Sequence, residues 1–204
     1  MRKYTAEFIG TFFLMFGIVM SVANAGDIAP LAIGSILMVM VYAGGPISGA
    51  HYNPAVTLAV WMRGKCSTAE VPGYLIAQIT AASIAAFTAN FILGVEPGTG
   101  LEVNFTPALL SEFLGTFALC FVILMVAFSK RSEGNSYFGL AIGFTVAAMA
   151  FSVGSVSGGA FNPAVAIGGS FAGLLIWSNI WIYLVANLVA GAVASLAFNY
   201  VDAE

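Results

Sequence analysis

The chain has 204 residues, of which 60% are hydrophobic and 7% charged, with a formal net charge of −3. A mean hydropathy of +0.99 is too high for a soluble domain, and several stretches are long enough to cross a bilayer. The composition therefore implies an integral membrane protein, with the lipid bilayer as its surroundings and no nucleic acid as partner.

The chain opens with Met1-Arg2-Lys3, an apolar run and Ala23-Asn24-Ala25-Gly26, the pattern of a secretory signal. Glu7-Phe8-Ile9-Gly10-Thr11-Phe12 returns in mid-chain as Glu112-Phe113-Leu114-Gly115-Thr116-Phe117, and a cleaved signal has no reason to be half of a repeat. Residues 5–25 are therefore read as the first of six long spans. The others are predicted at 31–48, 71–93, 107–129, 137–156 and 178–200. A short apolar segment lies between the second and third spans, and another between the fifth and sixth. Each is roughly ten residues, about 15 Å as a helix, against a hydrocarbon core of about 30 Å. Neither spans alone.

Both short segments begin at the same motif. The first copy reads Ser48-Gly49-Ala50-His51-Tyr52-Asn53-Pro54-Ala55-Val56, the second Ser157-Gly158-Gly159-Ala160-Phe161-Asn162-Pro163-Ala164-Val165. Leu31-Ala32-Ile33-Gly34 matches Leu140-Ala141-Ile142-Gly143 at the offset that relates the motifs, 109 residues (53 to 162). The expected architecture is thus an all-α membrane protein with six transmembrane helices and two re-entrant half-helices. It forms a single domain over 1–204, with repeat one at about 1–94 and repeat two at about 107–204.

Three full spans per copy is an odd number, so the second copy enters the membrane from the opposite side. The six basic residues, Arg2, Lys3, Arg63, Lys65, Lys130 and Arg131, then share one side, and the positive-inside rule places that side and both termini in the cytoplasm. Irregular backbone at membrane depth is tolerated where protein or a water-filled cavity satisfies it, so two re-entrant segments imply an aqueous path between the repeats. Asn is a good N-cap and Pro is favoured at the first helical position, so Asn-Pro-Ala starts a helix abruptly. If the Asn53 and Asn162 oxygens cap their helices, the amide NH2 groups are left to donate outward. Two such caps meeting at the midplane form a pore centre with two donors and two positive helix ends, which welcomes neutral molecules and repels cations.

On these paired motifs and the inverted repeat, the chain resembles the aquaporins, or major intrinsic proteins, over essentially all of its length. The resemblance implies a right-handed bundle with one pore per subunit, and a homotetramer. It also implies a mainly structural role for His51, the single histidine. It further suggests that Glu7 and Glu112 hydrogen-bond the backbone of the re-entrant loops. The rival reading makes these two carboxylates proton-coupling groups of a secondary transporter. The repeat opposes it, since it puts Glu7 towards one side and Glu112 towards the other. Metal binding and cofactors are not expected: there is one histidine, and Cys66 and Cys120 are far apart and are not expected to pair.

Selectivity departs from the family pattern. Aquaporins typically carry an Arg immediately after the second Asn-Pro-Ala, and Val165 stands there. By register against the motifs, the other three filter positions are Ile33, Ala150 and Gly159, without the aromatic and His of water channels or the aromatics of glycerol channels. Further family markers are mixed: Ala166 replaces the Asp of glycerol channels, Tyr183 suits the water type, and Leu184 stands where that type has Trp. The reading is a wide, aliphatic constriction passing water and neutral solutes such as glycerol, urea, ammonia, hydrogen peroxide or neutral metalloids. The alternative is that Phe144, Phe151 or Phe161 refills the gap and leaves a water-only pore. Cation exclusion then rests on the half-helix dipoles. No nucleophile with a base, metal spacing or phosphate loop indicates an enzyme. The competing classes are a multi-solute channel, a coupled transporter and a non-conducting structural protein. The compact termini fit a prokaryotic inner membrane.

Overall fold

A computed structural model describes residues 1–203. Its long helices are α1 (Arg2–Asn24), α2 (Ala29–Ser48), α4 (Val71–Leu93), α5 (Phe105–Phe128), α6 (Phe138–Ser157) and α8 (Ile180–Val201). Their lengths of 20 to 24 residues give about 30–36 Å at 1.5 Å per residue, a match to the hydrocarbon core. Two short helices complete the set, α3 (Pro54–Met62) and α7 (Pro163–Phe171), each of 9 residues. The boundaries lie within about three residues of those expected. The largest shift is at α1, which continues through Lys3 because an aqueous terminus costs a charged turn nothing.

Packing repeats with the sequence. α1 lies against α2 and α4, and α5 lies against α6 and α8. The half-helices cross over: α3 packs on α8, and α7 on α4. Ala81, Ala82, Ala85, Ala86 and Ala89 on α4, and Ala186, Ala190 and Ala194 on α8, are buried, and these small residues let the half-helices approach closely. The two repeats meet where α2 crosses α6. A Cβ on Gly34 would collide with the Gly143 carbonyl, and one on Gly143 with the Gly34 carbonyl.

α2 and α6 both stop at a glycine in the left-handed region, Gly49 at φ 86° and Gly158 at φ 90°. Such a cap turns the chain out of the helix at once, and here it turns it towards the centre of the bundle. The basic residues cluster at one end, here called the basic end. Lys3 pairs with Glu70 at 2.6 Å, Arg131 with Asp202 at 3.7 Å, and Arg63 bonds Asn199 and lies over the Phe198 ring. α3 returns to this end, and α7 to the opposite one.

Candidate functional site

The half-helices begin as their sequence dictates. Asn53 has extended backbone and its Oδ1 accepts from Ala55 N–H at 2.8 Å; Asn162 Oδ1 accepts from Ala164 N–H at 2.9 Å and Val165 N–H at 3.4 Å. Pro54 and Pro163 follow at the first helical position, where no N–H is needed. The amides are not left free. Asn53 Nδ2 donates to Phe161 O at 2.9 Å, and Asn162 Nδ2 donates to Tyr52 O at 2.8 Å. The expected outward donation is thereby limited to one hydrogen per amide. One hydrogen of each amide is committed across the interface of the repeats, and an NH2 group keeps one more.

The carbonyls that receive these bonds belong to residues in an unusual conformation. Tyr52 has φ 52° and Phe161 φ 48°, a region costly for bulky side chains and held only where the surroundings dictate it. Here the rings are wedged: Tyr52 sits where a Cβ on Gly10 or Gly44 would be, and Phe161 where one on Gly115 would be. Tyr52 Oη also donates to Met40 O at 2.9 Å. Nothing in the tripeptide motif announces this clasp. The only trace in the sequence is the Gly10 and Gly115 pair in the earlier repeat.

Glu7 and Glu112 secure the loops that lead to the two asparagines. Glu7 accepts from Ser48 Oγ (2.7 Å), His51 N (2.9 Å), Tyr52 N (2.7 Å) and Gln78 Nε2 (2.9 Å). Glu112 accepts from Ser157 Oγ (2.8 Å), Ala160 N (2.9 Å) and Phe161 N (2.7 Å). Tyr74 and Tyr183 hydroxyls donate to Ser48 O and Ser157 O, each at 2.6 Å. These serines and tyrosines recur at the 109-residue offset, so an alignment of the halves would have found them. His51 is buried, with Nδ1 3.1 Å from Thr57 Oγ1 and its ring centroid 4.7 Å from that of Tyr74.

A continuous cavity of about 630 Å³ runs past these groups. It brings together Asn53, Asn162 and His51 with all four positions expected to form a filter, Ile33, Ala150, Gly159 and Val165. Asp27 is the one charged residue in its wall among the described residues, and Glu7 and Glu112 lie outside it. Of the three phenylalanines considered as fillers, Phe151 lines the cavity. Phe161 is wedged against Gly115, and Phe144 lies outside the wall. Cys66 and Cys120 are both free thiols, and no group of three metal-ligating side chains occurs among the described residues.

Comparison with known proteins agrees with this architecture. A family profile described as Major intrinsic protein matches residues 1–198. The Glycerol uptake facilitator protein-like 6 of Lactiplantibacillus plantarum is 38% identical over the whole of both chains. Aquaporin NIP1-1 of Zea mays is 36% identical over 98% of this chain and 74% of its own length. Aquaporin AqpM of Methanothermobacter thermautotrophicus is 32% identical over 100% of this chain and 98% of its own. The X-ray structure of the aquaglyceroporin from Plasmodium falciparum superposes with a TM-score of 0.84 at 23% identity, over 98% of this chain and 96% of that one, a likeness of fold. The chain belongs to the major intrinsic protein family, whose members are membrane channels and not enzymes.

Proposed function

We propose that this protein is a passive, bidirectional channel for water and small neutral solutes, with Asn53 and Asn162 as the polar centre of the conduit and Ile33, Ala150, Gly159 and Val165 as its filter. One observation carries the reading: these four side chains share one cavity wall with the paired asparagines, and none of the four has a side-chain donor or a charge. Solutes crossing there meet aliphatic groups and backbone carbonyls, so size and polarity decide passage more than a fixed hydrogen-bond pattern does. The two half-helix N-termini meeting at the asparagines oppose cations. Glu7 and Glu112 serve as loop scaffold, each saturated with donors and away from the cavity, which leaves a proton-coupled transporter without a carboxylate at the centre of its path.

The relatives named for glycerol uptake and for aquaporin activity support this substrate class without separating water from glycerol. The positive-inside rule supports cytoplasmic termini, the family's habit supports a homotetramer, and the bacterial and archaeal relatives fit a prokaryotic inner membrane. Phe151 favours the narrower, water-only reading, because its ring is already in the wall. Stopped-flow light scattering on proteoliposomes separates the two. After shrinkage, a glycerol or urea challenge is expected to give swelling recovery. Shrinkage alone, at the rate seen with an impermeant osmolyte, would establish the water-only pore and overturn the wide filter.

A further inference from the structure

The four filter positions all fall inside the two repeats. Residues 95–104 lie outside both copies and join α4 to α5, at the end of the bundle to which α7 returns. They do not loop away from it. Leu101 N–H donates to Leu174 O at 2.9 Å, and Leu101 and Leu175 form an isolated parallel bridge. The backbones touch at two further points: a Cβ on Gly173 would collide with Gly98 N, and one on Gly100 would lie 2.6 Å from Leu175 C. Gly100 and Gly173 also have φ of 81° and 76°, so glycine is required there on both counts.

This clamp fixes where the Leu101 side chain can go. Leu101 lines the same cavity of about 630 Å³ as all four filter positions. Its Cδ2 lies 3.8 Å from where a Cβ on Gly158 would be, and Leu175 Cδ2 lies 2.5 Å from that same point. Gly158 precedes the filter residue Gly159. Leu175 also packs beside Gly169, about one turn beyond Val165 on α7. Of the two leucines Leu175 is buried, at 6% exposure, and Leu101 is open, at 36%. Gly158 and Gly159 bring no side chain to this part of the conduit, so Leu175 fills the corner and Leu101 presents the surface that a solute meets.

We propose that Leu101 is a fifth filter residue, delivered by the loop between the repeats, and that it sets the size limit of the conduit at the end opposite the basic end. The inference rests on the conduit reading above. Ile33, Ala150, Gly159 and Val165 offer aliphatic groups without a side-chain donor, so cross-section decides passage there. A leucine entering the cavity from a separate segment narrows that cross-section without adding polarity. A solute wide enough to need its space is rejected sterically, while water is small enough to pass beside it. The duplicated motifs cannot disclose this residue, because residues 95–104 occur once in the chain.

The test uses the purified full chain in proteoliposomes, with stopped-flow measurement of water flux and of swelling in glycerol, erythritol and xylitol, taken in order of size. The first polyol that the wild type excludes marks its limit. Leu101→Ala is expected to raise permeability to that polyol by about tenfold, the low end of what a side-chain-sized difference discriminates, and to change water flux by less than about twofold. Leu101→Phe is expected to move the limit the other way, slowing the largest molecule that the wild type passes. Gly100→Ala, which forces the loop off Leu175, is expected to reproduce the Leu101→Ala profile. If Leu101→Ala does not fold, Leu101→Phe and Gly100→Ala decide the matter. The same limit in all variants overturns the assignment. So does one common factor applied to water and every polyol, which marks a changed number of working channels and not a changed sieve. A wild type that conducts neither water nor polyol fails the conduit reading and takes the fifth residue with it; a conducting wild type with an immovable limit fails Leu101 alone.

Discussion

The two half-helices are supported by the same parts at their pore-facing starts and by different parts behind. Both have the capping asparagine, the carboxylate, the serine, the tyrosine and the wedged aromatic ring. Behind the first, Gln78 Nε2 bridges Glu7 and Thr57, and Thr57 meets His51. Behind the second, the matching residues are Asn187, Ala166 and Ala160, and Asn187 Oδ1 accepts from Thr116 Oγ1 at 2.9 Å. The duplicated parts therefore satisfy the loop backbone and aim the asparagines, which is an identical problem in both halves. Of the parts that differ, His51 lines a polar recess at the basic end, and Ala160 lines the cavity wall in the other half.

The largest test of the shared scaffold is removal of the carboxylates. Each buried donor orphaned in this way costs about 1–3 kcal/mol, and Glu7 holds four where Glu112 holds three. Glu7→Ala and Glu112→Ala should each destabilise by about 3 kcal/mol or more, the first by the larger amount. Thermal unfolding in detergent reads both; a larger loss for Glu112→Ala would break the idea that donor number sets the cost.

The wedged rings come next. Gly10→Ala and Gly115→Ala drive a methyl group into Tyr52 and Phe161 respectively, an overpacking cost of about 1–3 kcal/mol. Tyr52 is tethered by its hydroxyl to Met40 O and Phe161 has no such tether, so Gly10→Ala should be the worse. Equal effects on unfolding would mean that the tether does not hold the ring.

How far this was legible in the sequence follows the same division. The long helices and the half-helices could be read because apolar run length against bilayer thickness leaves few solutions, and because Asn-Pro starts a helix wherever it lies. Glu7 and Glu112 stood out as carboxylates inside apolar spans. The cross-repeat amide bonds from Asn53 and Asn162 were not legible, because their acceptors, Phe161 O and Tyr52 O, lie more than a hundred residues away and depend on a left-handed backbone that no local pattern encodes. Cys66 and His51 were legible as residues but not as parts of one recess wall, which only folding shows.

Val56 and Val165 hold the same place after their motifs and are both buried, yet only Val165 lines the cavity. Val165→Arg should therefore be tolerated and should cut proton leak in vesicles by about tenfold, the equivalent of about 1.4 kcal/mol of added barrier. Val56→Arg should instead cost stability, because it buries an unpaired charge. Equal proton leak in wild type and Val165→Arg would show that residue 165 does not face the conducting path.

The smallest effect concerns an ion pair that only the basic end has. Lys3 Nζ meets Glu70 at 2.6 Å, and the counterpart of Glu70 in the second repeat is Asn179. The Lys3 ammonium, with Ser67 O–H and N–H, holds the Glu70 carboxyl at about 2, below its ordinary 4.5. Since the folded value is the lower one, the pair contributes in full above about pH 4.5 and loses its contribution as pH falls through about 2. Water and salt reach both side chains, so the pair is worth less than about 1 kcal/mol. The stability gap between wild type and Lys3→Met should close as pH is lowered from 6 to 2 and shrink with added salt. A gap unchanged at low pH would assign the loss to the packed stem of Lys3, and the turn that carries Cys66 would then be held by contacts instead of charge.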